Sequence, residues 1–206
     1  KKEFKKKTTL MGCAAFTSFN VILNNLTLRK NMKISIIGIG GLGLSCLLIL
    51  RQLGFKNLYA YDIENKKIKI ARNEGFLNSF SSKKSNVIKK MKENDIIIDC
   101  SGNIDAINTF FPKLKENGGQ YILVSNTNIN SSFRLKTWDV IKGRRISGAW
   151  IKPLNESNNF KIYKKIFFKI NAFNNFFQKT YKLENLQTAF KDFESGKNFR
   201  PIIKIN

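Results

Sequence analysis

The stretch Ile34-Ser35-Ile36-Ile37-Gly38-Ile39-Gly40-Gly41-Leu42-Gly43 decides how the chain is read. It is an apolar strand, then a glycine turn, then the start of an uncharged helical run that reaches Gly54 with a single arginine near its end. Leu58-Tyr59-Ala60-Tyr61-Asp62 follows, a second strand ending in a carboxylate. Strand, turn, helix and strand in that order are what a dinucleotide site requires. Gly38 permits the tight turn out of the strand, Gly40 lets the backbone approach a pyrophosphate, and Gly43 lets the helix pack closely on the strand. The pyrophosphate would sit at the helix N-terminus, where backbone N–H groups and the positive end of the helix dipole meet its charge. Asp62 stands nineteen residues beyond Gly43. A carboxylate there accepts hydrogen bonds from both hydroxyls of an adenosine ribose and repels a 2′-phosphate, so NAD is the expected coenzyme.

The uncharged run from Ile34 to Leu50, seventeen residues long, also has the look of a membrane helix. That length is at the lower limit for crossing about 30 Å of hydrocarbon. Glycines at 38, 40, 41 and 43 would weaken such a helix further, so no membrane association is expected.

A chain of 206 residues can bury a full core. It opens Lys1-Lys2-Glu3-Phe4 rather than with Met and is expected to be a fragment. Its net charge of +23 raises the prospect of a phosphate-rich partner. Beyond Lys1 to Lys7, however, the lysines are scattered among Asn, Ile and Phe, with no arginine-rich block and no aromatic platform, so no nucleic-acid partner is expected. Cys13, Cys46 and Cys100 form no C-x-x-C pair and are too few for a disulfide framework. A reducing, cytoplasmic setting is expected, with no signal peptide visible. With no histidine, the chain lacks both the commonest general base and the commonest zinc ligand.

Periodicity and punctuation set out the elements. Thr8 to Asn25 reads as a partly buried helix, Met32 to Ile37 as a strand, and Gly41 to Leu53 as a helix capped by Gly54. Asn57 to Asp62 reads as a strand, Asn65 to Glu74 as a helix closed by Gly75, Phe76 to Phe80 as a third strand, and Lys84 to Lys92 as a short basic helix. Asp95 to Asp99 is a buried strand, and Ile104 to Glu116 a helix that Pro112 should kink or restart. Tyr121 to Val124, a short helix at Trp138 to Lys142, and Arg145 to Trp150 complete six strands. Then come an amphipathic helix from Asn155 to Phe173, an extended segment from Phe176 to Lys182, and a helix with Leu186, Ala189, Phe190 and Phe193 on one face closed by Gly196. Pro201 to Ile205 is a terminal strand, and the Asn-rich patches at 126–130 and 171–175 are expected to be loops. The fold class is α/β: a doubly wound parallel sheet of six strands, a Rossmann fold, with helices on both faces and a C-terminal helix-strand appendage.

Four segments together, Leu10-Met-Gly-Cys-Ala-Ala-Phe-Thr17, the turn Gly38 to Gly43, Tyr61-Asp62-Ile63 and Ser195-Gly-Lys-Asn-Phe-Arg200, resemble the medium-chain dehydrogenase/reductase family. The branch most resembled is that of the zinc-dependent alcohol dehydrogenases, and the likeness covers only the C-terminal, coenzyme-binding part of a family member. It implies a linking helix and remnant of a catalytic domain at 1–30, an NAD-binding domain at 31–151, and a segment at 152–206 that returns to the catalytic domain. Residue by residue, it implies Cys13 as one ligand of a catalytic Zn²⁺ completed by ligands outside this chain. It implies Thr17 and Leu42 near the nicotinamide, with Thr17 as the catalytic position. Gly38, Gly40, Gly41 and Gly43 would form the coenzyme-binding turn, Asp62, Ile63 and Lys67 would meet the adenosine ribose, and Arg200 would reach the pyrophosphate. The substrate implied is a small alcohol or aldehyde, and the reaction a hydride transfer between it and the nicotinamide.

Two departures stand out. No histidine is present for a proton relay, and residues 155 to 173 follow no pattern of the family. The same fold also serves zinc-independent, quinone-reductase-like enzymes and non-catalytic NAD-sensing modules. The resemblance further implies a homodimer through the edge strand at 145–150, with Ile146, Gly148 and Trp150 at the contact. Lys142, Arg144 and Arg145 are expected to crowd positive charge near its axis, so that salt would strengthen the dimer.

Overall fold

Side chains alternate across β1 (Ile34–Ile37): Ile34 and Ile36 enter one apolar core, while Ile37 enters another on the opposite face. The same division runs through β4 (Ile96–Asp99), where Ile96 and Ile98 share the first core and Ile97 the second. A strand buried on both faces reads as an unbroken apolar run, which is why Ile-Ile-Ile here carries no polar alternation. The computed structural model describes residues 8–24, 26–150, 157–176, 179–198 and 200–205.

α1 (Ala14–Asn24) precedes β1, and between β1 and β4 run α2 (Gly41–Gln52), β2 (Leu58–Asp62), α3 (Asn65–Asn73), β3 (Ser79–Ser81) and α4 (Ser85–Lys89). After β4 come α5 (Ile104–Phe110), β5 (Gln120–Leu123), α6 (Thr137–Ile141), β6 (Arg145–Gly148) and α7 (Ser157–Lys169). All six strands are parallel, in the order β3-β2-β1-β4-β5-β6. The order reverses between β1 and β4, and a crevice opens there beyond the strands' C-terminal ends. The first core lies under α1, α2, α3 and α7, and the second under α4 and α5. No helix among the described residues is long and apolar enough to cross a membrane, because the run from Ile34 is divided into β1, a turn and α2.

Several elements differ from expectation. β3 is Ser79–Ser81 rather than 76–80, because the Phe76 amide closes α3 on the Ala71 carbonyl and the Ser79 hydroxyl turns back to the Phe76 carbonyl. The helix from Ile104 stops at Phe110, and Phe111–Lys113 with Pro112 tightens into a 3₁₀ turn. The Asn-rich patch at 171–175 is no loop. It forms a 3₁₀ helix, Asn171–Phe176, in which Phe173 stacks on Phe167 at 5.0 Å and both Phe173 and Phe176 are buried. The expected helix start at Asn155 lies outside the described residues, as do Lys1 to Lys7.

The C-terminal part forms a second sheet, in which β7 (Thr180–Lys182) pairs in parallel with β8 (Ile202–Lys204) around α8 (Leu186–Glu194). The apolar face expected of α8 is present but uncovered. Only Ala189 is buried, while Leu186, Phe190 and Phe193 stand in solvent.

Candidate functional site

Gly38 leaves β1 with φ +84, a left-handed conformation in which a Cβ would lie 2.8 Å from the Ser101 backbone. Gly43 packs α2 on the turn so tightly that a Cβ would fall 1.9 Å from the Gly38 carbonyl oxygen. Gly40 differs from both. It precedes the first turn of α2 without a side-chain cap, and nothing stands within 4 Å of where its Cβ would be. That open space belongs to a cavity of ≈ 430 Å³ at the crevice.

One wall is built by Asp62, which ends β2 and is buried. Its Oδ2 accepts from the Ile39 amide at 2.6 Å and its Oδ1 from the Glu64 amide at 2.8 Å, so the carboxylate ties the glycine turn to the β2–α3 turn. Ile63, Glu64 and Lys67 continue this wall, the last two joined by an ion pair of 2.6 Å.

The opposite wall, Cys100 to Asp105, rests on Asp99. This buried carboxylate accepts from Tyr121 Oη at 2.7 Å, from the Ser101 amide at 2.8 Å and from Ser101 Oγ at 2.6 Å. Asn103 then caps α5 by accepting from the Asp105 amide at 2.8 Å. Burial, reinforced by the Asp99 charge, pushes the Tyr121 phenol far above its usual range. Cys46 and Cys100 are free thiols whose mutual interaction lowers Cys46, while the same interaction and burial raise Cys100. Asp99 was not singled out from the sequence. Its signal was an acid ending an otherwise apolar strand, and its principal partner, Tyr121, is 22 positions away.

The expected residues divide into groups. Gly38, Gly40, Asp62, Ile63 and Lys67 line the cavity, whereas Gly41, Leu42 and Gly43 lie behind it in α2. Thr17 sits on α1 with its amide on the Cys13 carbonyl, and its neighbour Ser18 donates to the Leu42 carbonyl at 3.1 Å, fixing α1 against the head of α2. Cys13 is exposed and its sulfur accepts from Arg200 Nη2 at 3.4 Å. Arg200 Nε is buried and has no hydrogen-bond partner.

A dinucleotide fits the cavity, where the Gly40 cradle and the helix start suit a phosphate-bearing ligand, while Arg200, with its orphaned Nε, does not line that cavity. A zinc ion does not fit them in the same way. Among the described residues no three His, Cys, Asp or Glu side chains are grouped to hold a metal, and Cys13 offers one donor.

No family model matches the sequence. Among curated proteins, S-(hydroxymethyl)glutathione dehydrogenase of Saccharomyces cerevisiae is 24% identical over 209 residues, covering 95% of this chain and 53% of its own length. Benzyl alcohol dehydrogenase from Acinetobacter calcoaceticus superposes with a TM-score of 0.82 at 20% identity, covering 96% of this chain and 56% of the other. A short chain alcohol dehydrogenase from Escherichia coli CFT073, complexed with NADH, superposes with a TM-score of 0.79 at 13% identity, over 97% of this chain and 59% of its own. The curated relatives carry the names of alcohol dehydrogenases and S-(hydroxymethyl)glutathione dehydrogenases, and the solved structures that superpose include an alcohol dehydrogenase zinc-binding domain protein. It spans little more than half the length of the curated relatives it matches.

Proposed function

We propose that the chain is the coenzyme-binding half of a zinc-dependent, NAD-linked dehydrogenase acting on a small alcohol or aldehyde. In this reading residues 31–151 bind the coenzyme, while 1–30 and 152–206 connect it to a catalytic domain. The observation that carries it is Asp62, a buried carboxylate on the cavity wall with the open Gly40 cradle on the same cavity. Relatives that are alcohol dehydrogenases, matched over 95% of this chain, give the reaction class.

Bound NAD supplies a hydride acceptor at its nicotinamide ring. The residues of this chain bind and orient it. The head of α2 and Arg200 neutralise the pyrophosphate, and Asp62 receives the ribose hydroxyls on the lone pairs that Ile39 and Glu64 leave free. Thr17 and Leu42, held together through Ser18, flank the far end of the coenzyme. Cys13 would be one donor to a zinc ion completed by residues outside this chain. A zinc-free, quinone-reductase-like enzyme would share the coenzyme site but not need Cys13. Cys13→Ser in the full-length enzyme abolishes turnover in the first case and spares it in the second.

Titration of reduced-coenzyme fluorescence tests the reading. NADH binds more tightly than NADPH, and Asp62→Ala narrows the difference; equal or tighter binding of NADPH by the unaltered chain rejects it.

A further inference from the structure

The ribose end of the cavity holds a second carboxylate. Glu64 Oε1 meets Lys67 Nζ at 2.6 Å, and both residues line the cavity beside Asp62. Gly196, with φ +64, lies over the pair. A Cβ there would stand 3.6 Å from Glu64 Oε2 and 3.9 Å from Lys67 Cε, so the C-terminal segment closes the outer side of the ion pair. Lys67 is the only cationic side chain lining the cavity among the described residues. Left alone, an ammonium group at this rim would attract a 2′-phosphate and offset Asp62. Paired with Glu64, its charge is cancelled where a phosphate would arrive, and the rim keeps the net negative charge of Asp62.

We propose that Glu64 is a specificity-determining residue: by holding Lys67 it withholds the one cation that, among the described residues, lines the cavity and could meet a 2′-phosphate. The proposal rests on the nucleotide-binding reading above and adds a restraint that Asp62 alone does not provide. Discrimination here is a difference between two affinities, and a rim that refuses the wrong ligand contributes as much as one that grips the right one.

The test is the ratio of NADPH to NADH dissociation constants, from fluorescence titration of the unaltered chain, Glu64→Gln, Lys67→Gln and the double variant. Glu64→Gln lowers the ratio about five- to tenfold, as expected of one partly exposed charge near contact, and added salt shrinks the change. Lys67→Gln in the Glu64→Gln background restores the ratio, because the released cation carries the gain. An unchanged ratio in Glu64→Gln overturns the proposal while leaving the coenzyme reading intact. A gain that persists in the double variant overturns it as well, since loss of a negative charge would then suffice without Lys67. Failure of the unaltered chain to bind NADH at all removes the coenzyme reading, and this proposal with it.

Discussion

Arg200 Nη2 donates to Cys13 Sγ across 3.4 Å, joining two residues 187 positions apart. The contact brings the end of the chain back to the segment ahead of α1, while the buried Nε of the same guanidinium has no partner. An arginine so placed can turn toward an arriving phosphate by giving up only a weak bond to sulfur.

Arg200→Ala weakens NADH and ADP by the same factor, about 10- to 100-fold, as expected when a hydrogen bond to a charged group is lost. Calorimetric titration with each ligand is the check. A loss seen with NADH and not with ADP would place Arg200 away from the pyrophosphate.

Two glycines of the turn separate fold from binding. Gly43→Ala forces a Cβ to 1.9 Å from the Gly38 carbonyl oxygen and lowers thermal stability sharply, by about 3 kcal/mol or more. Gly40→Ala meets nothing within 4 Å, so the melting temperature stays close to that of the unaltered chain while NADH affinity falls, because the new methyl occupies the ligand's space. Thermal melts and titrations on both variants decide the point; a Gly40→Ala chain that binds normally would show that the pyrophosphate lies elsewhere.

Alkaline pH unfolds the chain through its buried phenols. Burial pushes Tyr61 up to about 12 and raises Tyr121 and Tyr163 further still. In the unfolded chain all three ionise near pH ~10. The stability they represent is fully present below that value and declines as pH rises toward the folded values, since the folded state then binds more protons than the unfolded. Absorbance of ionised tyrosine and far-UV circular dichroism, followed together from pH 9 to 12.5, change in one cooperative step. Ionisation of these groups without loss of secondary structure would contradict the prediction.

A homodimer through the sheet edge at β6 is the expected assembly, but without the salt dependence expected from its cations. Arg144 is buried, with Nε on the Leu114 carbonyl at 2.8 Å and Nη1 on Asp139 at 2.6 Å, and Lys142 pairs with Glu116 at 2.7 Å. Of the three basic residues near the edge, only Arg145 is exposed, so self-repulsion is small. Trp150, 81% exposed just past β6, is the apolar side chain at that edge with most to gain from a partner. Light scattering at micromolar protein gives a dimer that changes little between low and high salt, and Gly148→Pro or Trp150→Glu returns it to a monomer. A monomeric unaltered chain at both salt levels rejects the assignment.

The six strands and their parallel, doubly wound arrangement were legible because their signals are local: apolar strands, glycines at helix ends, and an acid at the end of β2. Gly54 and Gly75 do adopt positive φ where the helices stop, at +89 and +88. What was not legible depends on distant partners. The Asp99 network takes shape only when β5 brings Tyr121 alongside β4, and β7 finds β8 only after α8 and its turn have folded back. Spacing correctly placed Leu186, Phe190 and Phe193 on one face of α8, but a pattern of apolar residues does not reveal what covers them. Positive charge at β6 is offset by Asp139 in the helix just before Arg144 and by Glu116, which the fold brings to Arg144 and Lys142.

Asp62 has one consequence for how coenzyme preference can change. Its two oxygens already hold the amides of Ile39 and Glu64, so any replacement inherits a vacancy on two backbone donors as well as a new ribose site. A buried amide left without an acceptor costs about 1–3 kcal/mol. Side chains that still offer an oxygen, Asn or Ser, are therefore easier routes to a phosphorylated coenzyme than Ala or Gly, even though the smaller residues would leave more room.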